Sequence, residues 1–253
     1  MRILAFDTST KATGICIYSY PDKEEETVPD LSSGRVEGLT IVDQERTRAE
    51  ELLPIVKDLF EQNQLRYEDI DLIAVGLGPG SFTGIRIGVT IAKTLAQFSG
   101  KRIIGVPNLQ AMAFGRKANN RLLVPVIDAR ANRIYSAAFM SGTVSAYPME
   151  TVVSEDLYFE DDLISRLKEF VEERRPEGIY YLGRGVRRHP ALLKAVGEFG
   201  EAEEGDRAKT PVVEIAQIAL IRALKGDFDS VMDLVPLYMR KSQAEMERDR
   251  HGQ

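Results

Sequence analysis

Two short segments of this sequence carry the residue types needed to hold an anion. The first, Asp7-Thr8-Ser9-Thr10, joins two strand-like runs, and its N–H groups and hydroxyls could converge on a phosphate. The same four residues would equally close a hairpin with no ligand at all. The second segment is Gly76-Leu77-Gly78-Pro79-Gly80-Ser81-Phe82-Thr83-Gly84-Ile85-Arg86-Ile87-Gly88. Its glycines around Pro79 specify a tight turn, and Ser81 or Thr83 can cap the helix that follows. A Walker loop would place a lysine after the last glycine, but Ile85 stands there instead.

Other chemistry is scarce. The two histidines, His189 and His251, have no metal-ligand spacing. Any Ser-His-Asp or Cys-His unit would rest on His189 alone, which precedes Pro190 in a basic loop and reads as a surface residue. The single cysteine, Cys16, allows no internal disulfide and suits a reducing cytoplasm. A formal net charge of −6 argues against a stand-alone nucleic-acid binder. The basic spots at Arg184, Arg187 and Arg188, and at Arg240 with Lys241, read singly as solvated surface.

Residues 2–6 and 14–18 read as strands flanking the first turn, so the sequence opens on a hairpin. No cleavable leader is expected, and no apolar run is long enough to cross a bilayer. After an acidic, proline-flanked loop at 21–30, the strand pattern resumes at 36–42. Apolar residues recur at helical spacing over 49–62, with Pro54 in the first turns. A strand over 71–76 feeds the glycine string, a helix over 84–98 leaves it, and a strand at 103–106 precedes a helix starting near 108. The second half has strands at 122–128 and 133–139 around a turn at 128–132, a helix at 162–174 and a strand at 178–182. A helix at 212–224, a last short strand at 235–239 and a charged tail expected to be disordered complete the chain. This alternation is that of a duplicated α/β unit, divided into lobes at 1–107 and 108–235 with the last strand and tail at 236–253.

The string GLGPGSFTGIRIGVTIAKTLA at 76–96 resembles the signature of the TsaB family. The segments ILAFDTST at 3–10, LLPIV at 52–56, VIDAR at 126–130 and VPLYMRK at 235–241 fall in matching order. The resemblance implies a two-lobed ASKHA fold (actin, Hsp70 and sugar-kinase-like), with mixed sheets flanked by helices. It further implies a non-catalytic, cytoplasmic subunit of the machinery that forms threonylcarbamoyladenosine beside the tRNA anticodon. Such a subunit binds and activates TsaD and supports assembly with the ATPase TsaE. It meets tRNA only within that complex, and self-associates through the same helices when alone. No cofactor is expected in this chain; ATP and metal belong to the partner subunits. The alternatives are an ASKHA-type ATP-binding enzyme and a glycoprotease-like peptidase. Both are weakened by the missing histidine pair and by a turn at 128–131 with no glycine to admit phosphate. One departure is Arg48, where many relatives carry histidine.

The helix at 84–98 has an apolar arc of about 200°, and that at 49–62 one of about 160°, where a surface helix needs only about 100°. The resemblance places both at the contact with TsaD. Leu52, Ile55, Val56, Leu59, Ile85, Gly88, Val89, Ile91, Ala92 and Leu95 are therefore the candidate partner-binding residues, with Asp7, Thr8, Ser9 and Thr10 a vestigial phosphate loop. On this reading Ala92→Glu or Ile91→Asp weakens pairing and leaves the monomer folded. The competing reading is that both helices are sandwiched inside one domain.

Overall fold

Strand β1 (Arg2–Asp7) is an almost unbroken apolar run because neighbours cover it on both faces. In the computed structural model, described over residues 1–21, 29–43, 49–114, 116, 120–141, 147–195, 200–202 and 209–239, β1 sits at the centre of a five-stranded sheet. It pairs antiparallel with β2 (Ala12–Ser19), which pairs antiparallel with β3 (Arg35–Asp43). On its other side β4 (Leu72–Gly76) and β5 (Arg102–Val106) run parallel to it, giving the order β3-β2-β1-β4-β5.

The second half repeats this topology. Strand β6 (Arg121–Asp128) is central, and β7 (Arg133–Met140) and β8 (Glu150–Phe159) extend it antiparallel. Strands β9 (Gly178–Leu182) and β10 (Gly200–Ala202) extend it in parallel, in the order β10-β9-β6-β7-β8. Two mixed sheets of one topology are the duplicated α/β unit anticipated above.

The helices complete the layers. Helices α1 (Ala49–Gln62) and α2 (Phe82–Ser99) cover one face of the first sheet around Leu4, Phe6, Ile15, Ile73 and Val75. Helix α4 (Glu160–Arg174) and the short α5 (Pro190–Ala195) cover the outer face of the second. Between the sheets lie α3 (Asn108–Ala113) and α6 (Val212–Leu224). Late as it comes in the chain, α6 packs on the first sheet, against Ile3, Ala5, Cys16, Ala74 and Ile104. Helix α3, which follows the first sheet, packs on the second through Leu109 and Met112. Nine of the thirteen residues of α6 are buried, which explains its almost wholly apolar sequence.

Residues 235–239 correct the sequence reading: they form no strand. Pro236 has no N–H with which to extend a ladder. The segment is held instead by Leu237 N–H donating to Leu77 O (2.8 Å), by buried Leu234, and by Lys93 Nζ donating to the carbonyls of Met232 and Leu234 (3.0 and 2.8 Å). The tail from 240, Arg48 and most of the acidic loop lie outside the described residues. No helix among the described residues is long and apolar enough to cross a membrane.

Candidate functional site

The β1–β2 turn is filled by the protein's own groups. Asp7 is fully buried, and its Oδ1 accepts from Ser9 N–H (3.0 Å) and from Asn108 Nδ2 (2.9 Å). Its Oδ2 accepts from Thr210 Oγ1 (2.7 Å). Thr8 Oγ1 donates to Gly84 O (2.7 Å), and Thr10 Oγ1 donates to Lys209 O (2.8 Å). Ser81 N–H donates to Ser9 O (2.6 Å).

The glycine string therefore acts as a packing surface. A Cβ on Gly80 would lie 2.2 Å from Ser9 O, one on Gly84 2.0 Å from Thr8 O, and one on Gly88 2.3 Å from Thr8 Oγ1. Only glycine lets the start of α2 seat on the turn. Ser81 caps α2 as its sequence position suggests, its side chain accepting from Gly84 N–H (3.2 Å).

Asn108, which its position in the sequence does not single out, is the hub of this arrangement. Besides Asp7 it donates to Ser9 Oγ (2.9 Å), and its Oδ1 accepts from Gly78 N–H (2.6 Å). The one available signal is a polar residue directly after Val106-Pro107 in an otherwise apolar stretch.

The matching turn of the second lobe follows Asp128, which ends β6 as Asp7 ends β1. Arg130, Ala131 and Asn132 all adopt left-handed backbone, with φ of 63°, 51° and 55°. None is a glycine, so the turn carries strain of about 1 kcal/mol or more per residue. Asp128 Oδ1 accepts from Arg130 N–H (3.0 Å) and Oδ2 from Arg188 Nη1 (2.9 Å).

His189 corrects a second expectation. It is buried, only 3% exposed, with Nε2 3.5 Å from Asp128 Oδ1 and Nδ1 3.3 Å from Glu160 Oε2. Neither ring nitrogen has a partner in hydrogen-bond geometry, so no hydroxyl or thiol among the described residues forms a nucleophile–base unit with it. Among the described residues no three His, Cys, Asp or Glu side chains are arranged to hold a metal ion.

One ion pair ties the lobes together at the surface. Arg184, in the turn of residues 184–188 after β9, grips Asp43 at the end of β3 with Nη1 and Nη2 at 3.1 and 2.7 Å. The Arg184 hydrogen bond holds the Asp43 carboxyl below the usual carboxylate range. Burial alone would raise Asp128, but the Arg130 N–H and the Arg188 charge outweigh it and hold this carboxyl low as well. Both groups are depressed in the folded state. Their contribution is therefore complete above the unfolded value of about 4 and is lost as pH falls through the lower folded values. The urea midpoint should fall between pH 7 and pH 3, and Asp43→Asn should make that fall smaller. An equal fall in the variant would exclude the Asp43–Arg184 pair as a contributor.

A family model described as tRNA N6-adenosine threonylcarbamoyltransferase (TsaD) matches residues 41–155. The tRNA threonylcarbamoyladenosine biosynthesis protein TsaB of Bacillus subtilis is 29% identical over 97% of this chain and 96% of its own. The protein of that name from Escherichia coli is 35% identical over 55% of each chain. YeaZ from Pseudomonas aeruginosa has the same fold, with a TM-score of 0.67, 20% identity, and coverage of 94% of this chain and 99% of its own. The chain is thus similar to TsaB proteins, at 25–29% identity over nearly its whole length and at 35% over about half of it.

In this chain the ten candidate partner-binding residues divide sharply. Leu52, Val56, Leu59, Ile85, Gly88, Val89 and Ala92 are buried in the chain's own core, holding α1 and α2 to the first sheet. They have no surface to offer a partner, and most of the apolar excess of both helices is explained by this packing. Ala92 is 0% exposed, so Ala92→Glu would bury a charge and break the fold itself. Ile55, Ile91 and Leu95 are only partly buried. The large apolar side chains presented outward on these helices are others: Leu53 is 50% exposed and Phe98 90%. Phe82 is also exposed and stacks on Tyr238, 4.9 Å between ring centroids.

Proposed function

We propose that this chain is a non-catalytic subunit in the formation of threonylcarbamoyladenosine on tRNA. It binds and activates TsaD through α1 and α2 and supports assembly with TsaE, while ATP and metal are held by those partners. Similarity to TsaB proteins over nearly the whole chain carries the reading. The state of the β1–β2 turn favours a structural role over an ATP-binding one. Its carboxylate and hydroxyls are spent on Asn108, Thr210, Gly84 and Lys209 rather than left to receive a phosphate. The peptidase reading finds no support in His189, whose ring nitrogens face carboxylates alone.

The deciding experiment is synthesis of threonylcarbamoyladenosine on a tRNA transcript by TsaD and TsaE, with and without this chain. Product formed equally well in its absence would refute the proposal. The pairing surface is tested by Ile91→Asp and Phe98→Ala. Each is expected to weaken co-purification with TsaD about 10-fold while leaving the thermal midpoint of the isolated chain nearly unchanged, as for a truncated interface anchor. Undiminished pairing of both variants would remove the exposed edge of α2 from the interface.

A further inference from the structure

Although the chain is acidic overall, with a formal net charge of −6, its lobes meet at a strongly basic rim. Arg184, Arg187 and Arg188 lie in one turn after β9, and Arg130 projects from the strained turn after β6. Lys11 belongs to the β1–β2 turn and Lys209 leads into α6. The contacts make these one surface. Arg184 grips Asp43, whose carboxyl also feels the charges of Lys209 and Lys11. Arg188 grips Asp128, which binds the backbone of Arg130. Lys11, Arg130, Arg184, Arg187 and Arg188 are all exposed.

The form of the rim identifies its ligand. A small anion needs donors converging on one point, and the turn that could have supplied them is internally engaged. Here the charges are instead strung along the edges of both lobes on four separate chain segments. Such an array suits a polyanion that presents phosphates in series, where each phosphate neutralised adds to affinity. The two carboxylates hold the Arg184 and Arg188 guanidiniums extended, lowering the entropy lost when a phosphate is gripped. The three consecutive left-handed residues also fit this role. Strain persists where the surrounding structure enforces it, and at this turn it presents Arg130 outward.

We infer that the rim formed by Lys11, Arg130, Arg184, Arg187, Arg188 and Lys209 binds the phosphate backbone of RNA. The choice of RNA over another polyanion rests on the proposed role in tRNA modification.

The test measures binding of an unmodified tRNA transcript to the assembled complex of this chain with TsaD and TsaE over a series of salt concentrations. The double variant Arg130→Glu/Arg187→Glu is compared with Lys168→Glu/Arg174→Glu, an equal charge change on the outer helix α4. The rim variant is expected to bind about 10-fold more weakly and to lose about 2 from the slope of log affinity against log salt, the control losing neither. Equal behaviour of the two variants overturns the inference. Weaker assembly with unchanged RNA affinity overturns it too, marking the rim as a protein-docking surface. Should the complex fail to assemble even with the unaltered chain, the subunit proposal fails separately. The same salt series on the isolated chain then decides the rim, the absence of any difference between the two variants counting against it.

Discussion

Gly84→Ala is expected to destabilise the protein by about 3 kcal/mol, the upper part of the range for forced overpacking. The sign is opposite to that of helix propensity, since alanine is favoured over glycine in a helix by about 1 kcal/mol. The reason is a contact between residues far apart in sequence. The new Cβ would lie 2.0 Å from Thr8 O and 3.2 Å from Thr8 C, and these are backbone atoms of the β1–β2 turn that cannot rotate away. Helix α2 would have to lift off the turn, giving up the Thr8 Oγ1–Gly84 O hydrogen bond and the seating of Ile85 and Val89 on the sheet. Gly100, which ends α2 at φ 67° with nothing within 4 Å of its added Cβ, is the control. Its alanine variant should cost only about 1 kcal/mol of left-handed strain. Urea midpoints of the two variants decide the matter. A Gly84→Ala midpoint at or above that of the unaltered protein would mean that α2 does not rest on Thr8.

Asp7 should separate by isostere. Asp7→Ala removes the acceptor for Ser9 N–H, Asn108 Nδ2 and Thr210 Oγ1 at a fully buried position, and is expected to cost about 3 kcal/mol. Asp7→Asn keeps an oxygen for the first two donors, and its amide can donate to Thr210, whose hydroxyl turns to accept; about 1 kcal/mol is expected. Thermal unfolding read alongside calorimetric titration with Mg-ATP tests both the cost and its meaning. Equal losses for the two variants would show that the carboxylate charge, rather than the hydrogen-bond pattern, is what the turn requires. A reduced yield of modified tRNA with Asp7→Ala would then report loss of fold, not loss of chemistry. The alanine variant alone therefore cannot assign a catalytic role to this residue.

The strands buried on both faces and the longest helices were legible in the sequence because their apolar patterns are continuous and locally periodic. Strand β8 was not: its edge position leaves Glu150, Ser154 and Asp156 exposed, so its alternation is broken by polar residues. The three-residue β10 is too short to carry a pattern. Residues 235–239 misled in the opposite direction, since Val235 and Leu237 have strand character but Pro236 between them cannot pair.

Helical periodicity likewise measures how much of a helix is apolar but not what covers it. The breadth of α1 and α2 was plain, yet only tertiary packing revealed that their own sheet takes Leu52, Val56, Leu59, Ile85, Val89 and Ala92. His189 and the arginines beside it read as surface because their loop is basic. The fold buries the imidazole between Asp128 and Glu160 and turns Arg184 and Arg188 into grips on carboxylates distant in sequence. By itself, then, the sequence determined the duplicated α/β plan and, through its glycine-rich string and four matching segments, the resemblance to the TsaB family. Whether that string would cradle an anion or seat a helix was decided by the tertiary structure. The residue that meets Gly84 is Thr8, 76 positions away, and no local pattern records a contact of that range.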